Sequence, residues 1–447
     1  MAKSRFPHPL VLLSACIVLA AMASYVLPAG QYDRQQDEAT GREVVVAGTY
    51  HEVEPNPVGF FDTVVAIPLG MADAASVIFL VFLIGGAFTV VDETGALRQS
   101  IGWLVRKLGD REILIIPIVA VVFATGGVLE NMQEEIIPLI PVLLIVTRRI
   151  GFDALTAVSM SAGAAFVGSA FSPINPFQVG IAQKLAQLPL LSGGGYRMIF
   201  LVIALTIWIG GTMRHAMRTR VAPDDAAFDT DETVSPRSGV IIGMVLATFG
   251  LLTFGILRLG WDFDQMSALF FIMGILAGLV GGLGVSGTAE AYVKGFAGMA
   301  FAAMLIGFAR AIYVVLDQGL IVDTIVYGLF TPIADLPVAL SAIGMMVVHT
   351  AVHVPVPSVS GHAVLTMPVL VPLSDLLGMS RQVLVLAYQY GAGLCDLLTP
   401  TNGALMAILA TAGVRYEGWV KFAMPLYLLV AAVGMVSIVV AIGIGLQ

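Results

Sequence analysis

The sequence predicts an all-α polytopic membrane protein built on an inverted-topology repeat, with two re-entrant hairpins and two broken transmembrane helices. Three observations carry that expectation. The 447 residues are 58% hydrophobic and 12% charged, with a mean hydropathy of +0.93, far outside the composition of a water-soluble domain. Ser172-Pro173-Ile174-Asn175-Pro176 interrupts an apolar segment long enough to cross a bilayer. Two prolines so close cannot both sit in an intact helix, and opened backbone at membrane depth needs a cover of protein or a polar cavity. Thr399-Pro400-Thr401-Asn402-Gly403 repeats the device, with Asn402 following Asn175 by 402 − 175 = 227 residues.

Residues 8–28 read as the first crossing, entered from Lys3 and Arg5 on the cytoplasmic side. The same start, with Ala21-Met22-Ala23, has the form of a signal peptide, but the run reaches Leu27 and is long enough to span as a retained anchor. Residues 29–58 are polar and read as an extracytoplasmic loop with a small hairpin, and 59–72 as an interfacial helix. The next crossing, 75–96, ends near Asp92 and Glu93. Arg98, Arg106, Lys107 and Arg111 place 97–111 in the cytoplasm.

Residues 112–148 are apolar, then polar at Glu130-Asn131-Met132-Gln133-Glu134-Glu135, then apolar again. Arg111 lies on one flank and Arg148-Arg149 on the other. A single crossing would put one basic flank on the wrong side, whereas a re-entrant hairpin keeps both in the cytoplasm. The first broken helix, 154–186, crosses outward, and 197–216 returns to Arg214, Arg218 and Arg220. Asp224, Asp225, Asp229, Asp231 and Glu232 make 219–236 a cytoplasmic linker.

Residues 238–257 lead out and 265–285 lead in. An interfacial helix with Lys294 is expected at 286–298, then a crossing at 299–316 that carries Arg310, and an outer-surface segment at 318–335. The second hairpin, 336–377, has its tip at Pro357-Ser358-Val359-Ser360-Gly361-His362. Its flanks are Asp335 and Asp375, without basic residues, which suits an extracytoplasmic opening. The second broken helix, 381–413, runs inward to Arg415 and Lys421, and 420–445 crosses out. The N-terminus is then cytoplasmic and the C-terminus extracytoplasmic.

The 227-residue offset also pairs Pro141-Val142-Leu143 with Pro368-Val369-Leu370, Gly151 with Gly378, Ser172 with Thr399 and Pro173 with Pro400. A first repeat over 1–218, a linker and connecting crossing over 219–258, and a second repeat over 259–447 follow. Four crossings per repeat would leave both halves in one orientation; the extra crossing at 238–257 inverts the second. Paired broken helices in two such halves point to a solute and ion site near the midplane.

Four polar nodes should converge there: two tips and two breaks. Each break starts a half-helix whose free N–H groups favour a carboxylate. Asn175 and Asn402 can donate and accept, Ser172, Thr399 and Thr401 add hydroxyls, and freed carbonyls near Asn175 and Asn402 can hold a sodium ion. The plainer reading is that Asn and Ser cap the half-helices. Glu134 and Glu135 are costly at membrane depth, where they would bind a cationic group or exchange a proton, helped by Glu130, Asn131 and Gln133. A tip reaching the aqueous surface would make them ordinary. An acidic tip fits a dianion poorly.

Arg310 would either neutralise an acid such as Glu134 or Asp396 or bind a substrate carboxylate. Ser358, Ser360 and His362 are the contacts offered by the second tip, His362 toward substrate or a proton. Gln389, between Tyr388 and Tyr390, is a further cavity candidate. His349 and His353 are four apart, a metal-binding geometry, but the Thr-Ala-Val between them lacks the glutamate of a zinc hydrolase, and no metal is expected. Cys16 and Cys395 lie in apolar segments, giving neither a disulfide framework nor a zinc site. There is no basic run for nucleic acid, no phosphate loop, and no grouping of nucleophile, base and metal, so an enzyme is not expected.

The stretches Glu134-Glu135-Ile136-Ile137-Pro138, Asn175 to Gln183, Ala309-Arg310-Ala311-Ile312, Val356 to Pro368 and Pro400 to Met406 resemble the YfcC-like branch of the anaerobic dicarboxylate carrier (DcuC) family, within the ion transporter superfamily. The likeness runs along essentially the whole chain. It implies a homodimer in the bacterial cytoplasmic membrane, a scaffold and a mobile transport domain working as an elevator, and sites at tips and breaks. Relatives are commonly labelled arginine/ornithine antiporters; others in the superfamily carry dicarboxylates or aminobenzoyl-glutamate. Three departures fall on the expected site: Tyr390-Gly391-Ala392-Gly393 where Phe-Gly-Asp-Gly is usual, Ser360-Gly361-His362 where Ser-Gly-Gln is usual, and Pro400-Thr401-Asn402 where Pro-Thr-Ser is usual. The expected function is secondary active transport of a small carboxylate-bearing solute, foremost an amino acid, coupled to sodium, protons or counter-substrate. A dicarboxylate carrier and a passive facilitator are the alternatives.

Overall fold

A chain this apolar satisfies its backbone by forming helices, and helices dominate the computed structural model. It describes residues 8–37, 42–97, 99–100, 103, 109–221, 235–333 and 336–446. The expectations that rest on Lys3, Arg5, Arg98, Arg106, Lys107, Asp335 and most of the acidic linker lie outside the described residues. Among the described residues, eight helices are long and apolar enough to cross a membrane.

Both breaks are present. Helix Ala154–Ala170 stops before Ser172-Pro173, and a second piece runs from Pro176 to Leu185. Helix Arg381–Cys395 stops before Thr399-Pro400, and Gly403–Ala412 resumes after it. Both apolar–polar–apolar units are helical pairs around a turn. In the first, Ile115–Glu130 ends at Asn131, whose left-handed φ of 57° turns the chain into the short 3-10 segment Glu134–Leu139 and helix Ile140–Arg149. In the second, Val338–His353 and Val359–Leu376 flank the tip, and Ser358 caps the second helix by accepting from Gly361 N–H.

The helices form two packed groups. In one, Pro9–Ala23, Phe60–Asp73, Ala75–Glu93 and Phe263–Gly281 surround the long helix Gly284–Gln318, and Pro236–Leu259 packs on Phe263–Gly281. In the other, Ile115–Glu130 lies on Ala164–Ala170 and Val338–His353 lies on Arg381–Cys395. Gly194–Arg218 and Tyr416–Gly443 close the back of this second group, with the fully buried rings of Trp208 and Trp419 6.2 Å apart. The helices approach closely because glycines face carbonyls. A side chain at Gly127 would strike Ala165 O, one at Gly168 Ala124 O, and one at Gly391 Met346 O. The groups meet where Gly403–Ala412 lies on Gly284–Gln318 and where Glu134–Leu139 lies on Ala75–Glu93.

Two boundaries differ from expectation. Residues 286–298 and 299–316 are one 35-residue helix, Gly284–Gln318, rather than an interfacial helix and a crossing. Its length, about 52 Å at 1.5 Å per residue, exceeds the roughly 30 Å hydrocarbon core. Lys294 therefore sits inside it, paired with Glu93. The first helix is Pro9–Ala23, shorter than 8–28, because Ser24 donates to Ala21 O at 2.7 Å and accepts from Val58 N–H at 2.9 Å, tying the exit to the polar loop.

That loop forms two small antiparallel pairs, Gly30–Gln31 with His51–Glu52 and Arg34–Asp37 with Arg42–Val45. It docks on helix Val322–Phe330. Buried Asp323 accepts from Tyr32 N–H at 2.9 Å and from Arg34 at 3.0 and 3.1 Å, and Tyr50 stacks on Tyr327 at 4.1 Å. The described residues of 29–58 and helix Val322–Phe330 thus lie together.

Candidate functional site

A cavity of about 400 Å³ lies between the two helical groups. The first tip contributes Asn131, Gln133, Glu134 and Glu135, the second Ser358 and Ser360, and the second break Asp396, Thr401, Asn402 and Gly403. Phe177 enters from just beyond the first break. The opposite wall is helix Gly284–Gln318, through Ile306, Ala309, Arg310 and Tyr313, with Asp73 and Trp261 beside it. An adjoining space of about 330 Å³ shares Arg310, Tyr313, Ser358 and Ser360 and reaches Arg34 and Glu43, so the site continues toward the loop of 29–58.

The polar wall is tied across the chain. Asp396 Oδ2 accepts from Gln133 Nε2 at 3.0 Å, and Asp396 Oδ1 accepts from Asn402 Nδ2 at 2.7 Å. Asn402 Nδ2 also donates to Gln133 Oε1 at 3.0 Å, and its Oδ1 caps the half-helix by accepting from Leu405 N–H at 2.9 Å. Glu135 accepts from Gln133 N–H at 3.1 Å, which turns its carboxylate back on the tip. Glu134 is the less buried of the two acids and lines the cavity. Gly403 and Ala404, the first residues of the half-helix, also line it; first-turn N–H groups have no acceptor within a helix and carry its positive end.

The first break is arranged differently. Asn175 accepts from Phe177 and Gln178 N–H at 2.9 and 3.1 Å and donates to Gly127 O at 2.9 Å. Ser172 donates to Val128 O at 2.7 Å and accepts from Asn175 N–H at 2.8 Å. Asn175 and Ser172 are completely buried and do not line the cavity: their atoms cap the break and tie it to the first hairpin. Thr399 likewise bonds Thr401 at 2.7 Å behind the wall. Both asparagines fulfil the capping reading, and only Asn402 also faces the cavity.

Arg310 does not neutralise Glu134 or Asp396. Its ion-pair partner is Asp73, at the end of helix Phe60–Asp73, and its guanidinium lies 4.8 Å from the Tyr313 ring centre. The pairing follows from the two helices lying side by side where Gly70 packs on Gly307. His362 is displaced from its expected place: it is completely buried behind the second tip, 2.8 Å from His349. Gln389 is also enclosed. It donates to Ser172 O at 2.7 Å and accepts at 2.9 Å from fully buried Arg197, which donates to Gln382 at 3.0 Å and Ser192 O at 2.7 Å as well.

A family model described as C4-dicarboxylate anaerobic carrier matches residues 6–443. The chain belongs to the DcuC family. Within it, the chain is 31% identical over 465 residues to the Escherichia coli protein named "Putative basic amino acid antiporter YfcC", covering 93% of this chain and 92% of that protein. It is 28% identical over 496 residues to an uncharacterized Haemophilus influenzae protein, covering 98% and 97%. Solved structures with similar helices include the YdaH transporter of Alcanivorax borkumensis, at 16% identity, 98% and 99% coverage and a TM-score of 0.46. Another is MtrF of Neisseria gonorrhoeae, described with a class of antimetabolite efflux pumps, at 16% identity, 97% and 95% coverage and a TM-score of 0.43. DcuC membership and the eight apolar helices make this protein a multi-pass membrane transporter and not an enzyme.

Sequence reasoning missed Asp73, Tyr313, Trp261 and Phe177 as cavity residues. For Asp73 a partial signal existed: an arginine inside an apolar helix needs an acid, and Asp73 closes the apolar helix Phe60–Asp73, though far from Arg310 in the chain. The other three are ordinary aromatics whose place depends on packing.

Proposed function

We propose that this DcuC-family transporter is a secondary active carrier, a symporter or antiporter, of a small carboxylate-bearing amino acid with a cationic group, such as arginine or ornithine. One observation carries the reading. Five carboxyl groups among the described residues line the cavity: Glu134, Glu135 and Asp396 stand beside a half-helix start at Gly403, while Asp73 is paired with Arg310 and Asp262 caps helix Phe263–Gly281. The cavity's one cation among the described residues, Arg310, is thus already paired. Glu134 meets the amino group or cationic side chain, and the N–H groups of Gly403 and Ala404 meet the carboxylate. The name of the Escherichia coli relative agrees with a basic solute.

We read the two helical groups as scaffold and transport domain of an elevator in a homodimer of the bacterial cytoplasmic membrane. The repeats would be 1–218 and 259–447, with inverted orientation, re-entrant hairpins, the N-terminus in the cytoplasm and the C-terminus outside. The half-helix Gly403–Ala412 against helix Gly284–Gln318 is then the sliding contact.

A dicarboxylate is the second reading, favoured by the family description and by Arg310 at the cavity edge. Competition of labelled L-arginine against succinate in proteoliposomes separates the two: displacement by arginine and ornithine but not succinate is expected, and the reverse order overturns the cationic reading. Accumulation against a gradient of sodium, protons or counter-substrate distinguishes either carrier from a passive facilitator.

A further inference from the structure

Behind the cavity wall lies a cluster that the solute site does not use. His353 Nε2 is 3.0 Å from Asp396 Oδ1, His353 Nδ1 is 3.3 Å from His362 Nδ1, and His362 Nε2 is 2.8 Å from His349 Nδ1. All three imidazoles are completely buried, and only Asp396 of the four reaches the cavity. At the far end His349 Nε2 is buried with no hydrogen-bond partner among the described residues.

Proton counting explains that orphan. Three neutral imidazoles carry three protons for three contacts. With Asp396 ionised, every contact is satisfied in one way: His353 Nε2–H donates to Asp396, His362 Nδ1–H to His353, and His349 Nδ1–H to His362. A bare lone pair is left on His349 Nε2. One proton added at Asp396 reverses every bond. The acid donates to His353, His353 to His362 and His362 to His349, and the last proton emerges on His349 Nε2. No contact is lost, no imidazole ends charged, and one negative charge leaves the cavity wall.

The groups around the cluster do not compete for that proton. The Tyr388 ring lies edge-on to His349 and His362 while its hydroxyl donates to Val359 O at 2.6 Å. Cys395 donates to Thr350 O, and Tyr427 of the last helix lies beside Thr350. Phe330 packs on His349, and Asp323 of that same helix turns away to Arg34. Asp375, on the His362 helix, pairs with Arg381. Glu134 and Glu135 face Asp396 from the first tip, and the Arg310–Asp73 pair stands across the cavity.

We propose that Asp396, His353, His362 and His349 form a buried relay that binds one coupling proton drawn from the cavity. Resting on the reading of the cavity as the seat of a cationic group, the relay makes proton and solute alternatives, because the wall is more negative before protonation than after.

Infrared difference spectra of the purified full-length protein between neutral and acidic pH test it. A protonated-carboxyl band is expected to rise together with imidazole tautomer changes and without imidazolium bands. Asp396→Asn should lose both signals. His353→Gln, which interrupts the chain with a polar side chain, should keep the carboxyl band and lose the tautomer change. Imidazolium bands in the wild type, an Asp396→Asn spectrum equal to wild type, or unaltered tautomer bands in His353→Gln overturn the relay. Release of protons on adding L-arginine, followed with a pH indicator, reads the coupling, and release that survives Asp396→Asn overturns it. The infrared signature with no release by arginine refutes the cationic-solute reading and leaves the relay standing.

Discussion

Gln133 Nε2 donates to Asp396 Oδ2 at 3.0 Å, joining the tip of the first hairpin to the second break. Asn402 closes the triangle by donating to both partners. Two amides and a carboxylate, nearly fully buried, thereby hold the two halves of the chain in one register at the wall of the cavity. Every donor and acceptor in such a network matters, since a buried polar group that loses its partner keeps its desolvation cost.

Removing the central amide should therefore be expensive. Gln133→Ala leaves Asp396 Oδ2 and part of Asn402 unsatisfied, and a loss of about 1–3 kcal/mol is expected. Thermal unfolding in detergent should show a lower midpoint, and L-arginine exchange in proteoliposomes should fall with it. An unchanged midpoint would mean the triangle is not maintained in the protein.

Neutralising the acidic tip separates function from fold. The double variant Glu134→Gln, Glu135→Gln should be monodisperse on size-exclusion chromatography and inactive in arginine uptake. Full retained transport would remove both acids from the site.

Arg310 and Asp73 are 37% and 46% exposed, so their ion pair should contribute no more than about 1 kcal/mol to stability. Arg310→Met and Asp73→Asn should each leave the unfolding midpoint almost unchanged. If a dicarboxylate is the solute, Arg310→Met should raise the KM for succinate sharply; under the cationic reading arginine transport should change far less. The double variant should be no worse than the worse single one, because both remove the same pair.

The close helix crossings should tolerate no side chain. Gly127→Leu drives a side chain into the Ala165 carbonyl, and Gly391→Leu into that of Met346. A cost of about 1–3 kcal/mol or a failure to fold is expected for each, read as a fall in folded yield and thermal midpoint.

Acid should weaken one joint, between Asp153, which precedes helix Ala154–Ala170, and His215 in the last turn of helix Gly194–Arg218. Burial pushes the Asp153 carboxyl upward, but hydrogen bonds from His215 and Thr156 outweigh it and hold it at about 2, below its ordinary 3.8. A carboxyl lowered by folding contributes stability that is present above 3.8 and lost as pH falls toward 2. Asp153→Asn should therefore flatten the loss of thermal stability between those values, and an unchanged acid slope would dismiss the joint.

The class of molecule, the two breaks, the two helix–turn–helix units and most of the polar residues around the cavity are legible in the amino-acid order alone. Those features are local. Proline stops a helix wherever it falls, an apolar run of set length spans, and a charged tip inside such a run stands out against it. Glu134, Asn402 and Ser358 were legible for that reason. Which polar residues face the cavity and which serve as struts is settled by the packing of the folded chain. Asn175 and Asn402 are equivalent in sequence, yet one is enclosed against Gly127 and the other looks into the site. Likewise the acid for Arg310 is Asp73, far away in the chain, and His362 joins His353 and Asp396 behind the second tip. Such pairings depend on which helix faces pack together, and in a chain with so little polar contrast between faces, packing of small residues, not hydropathy, makes that choice.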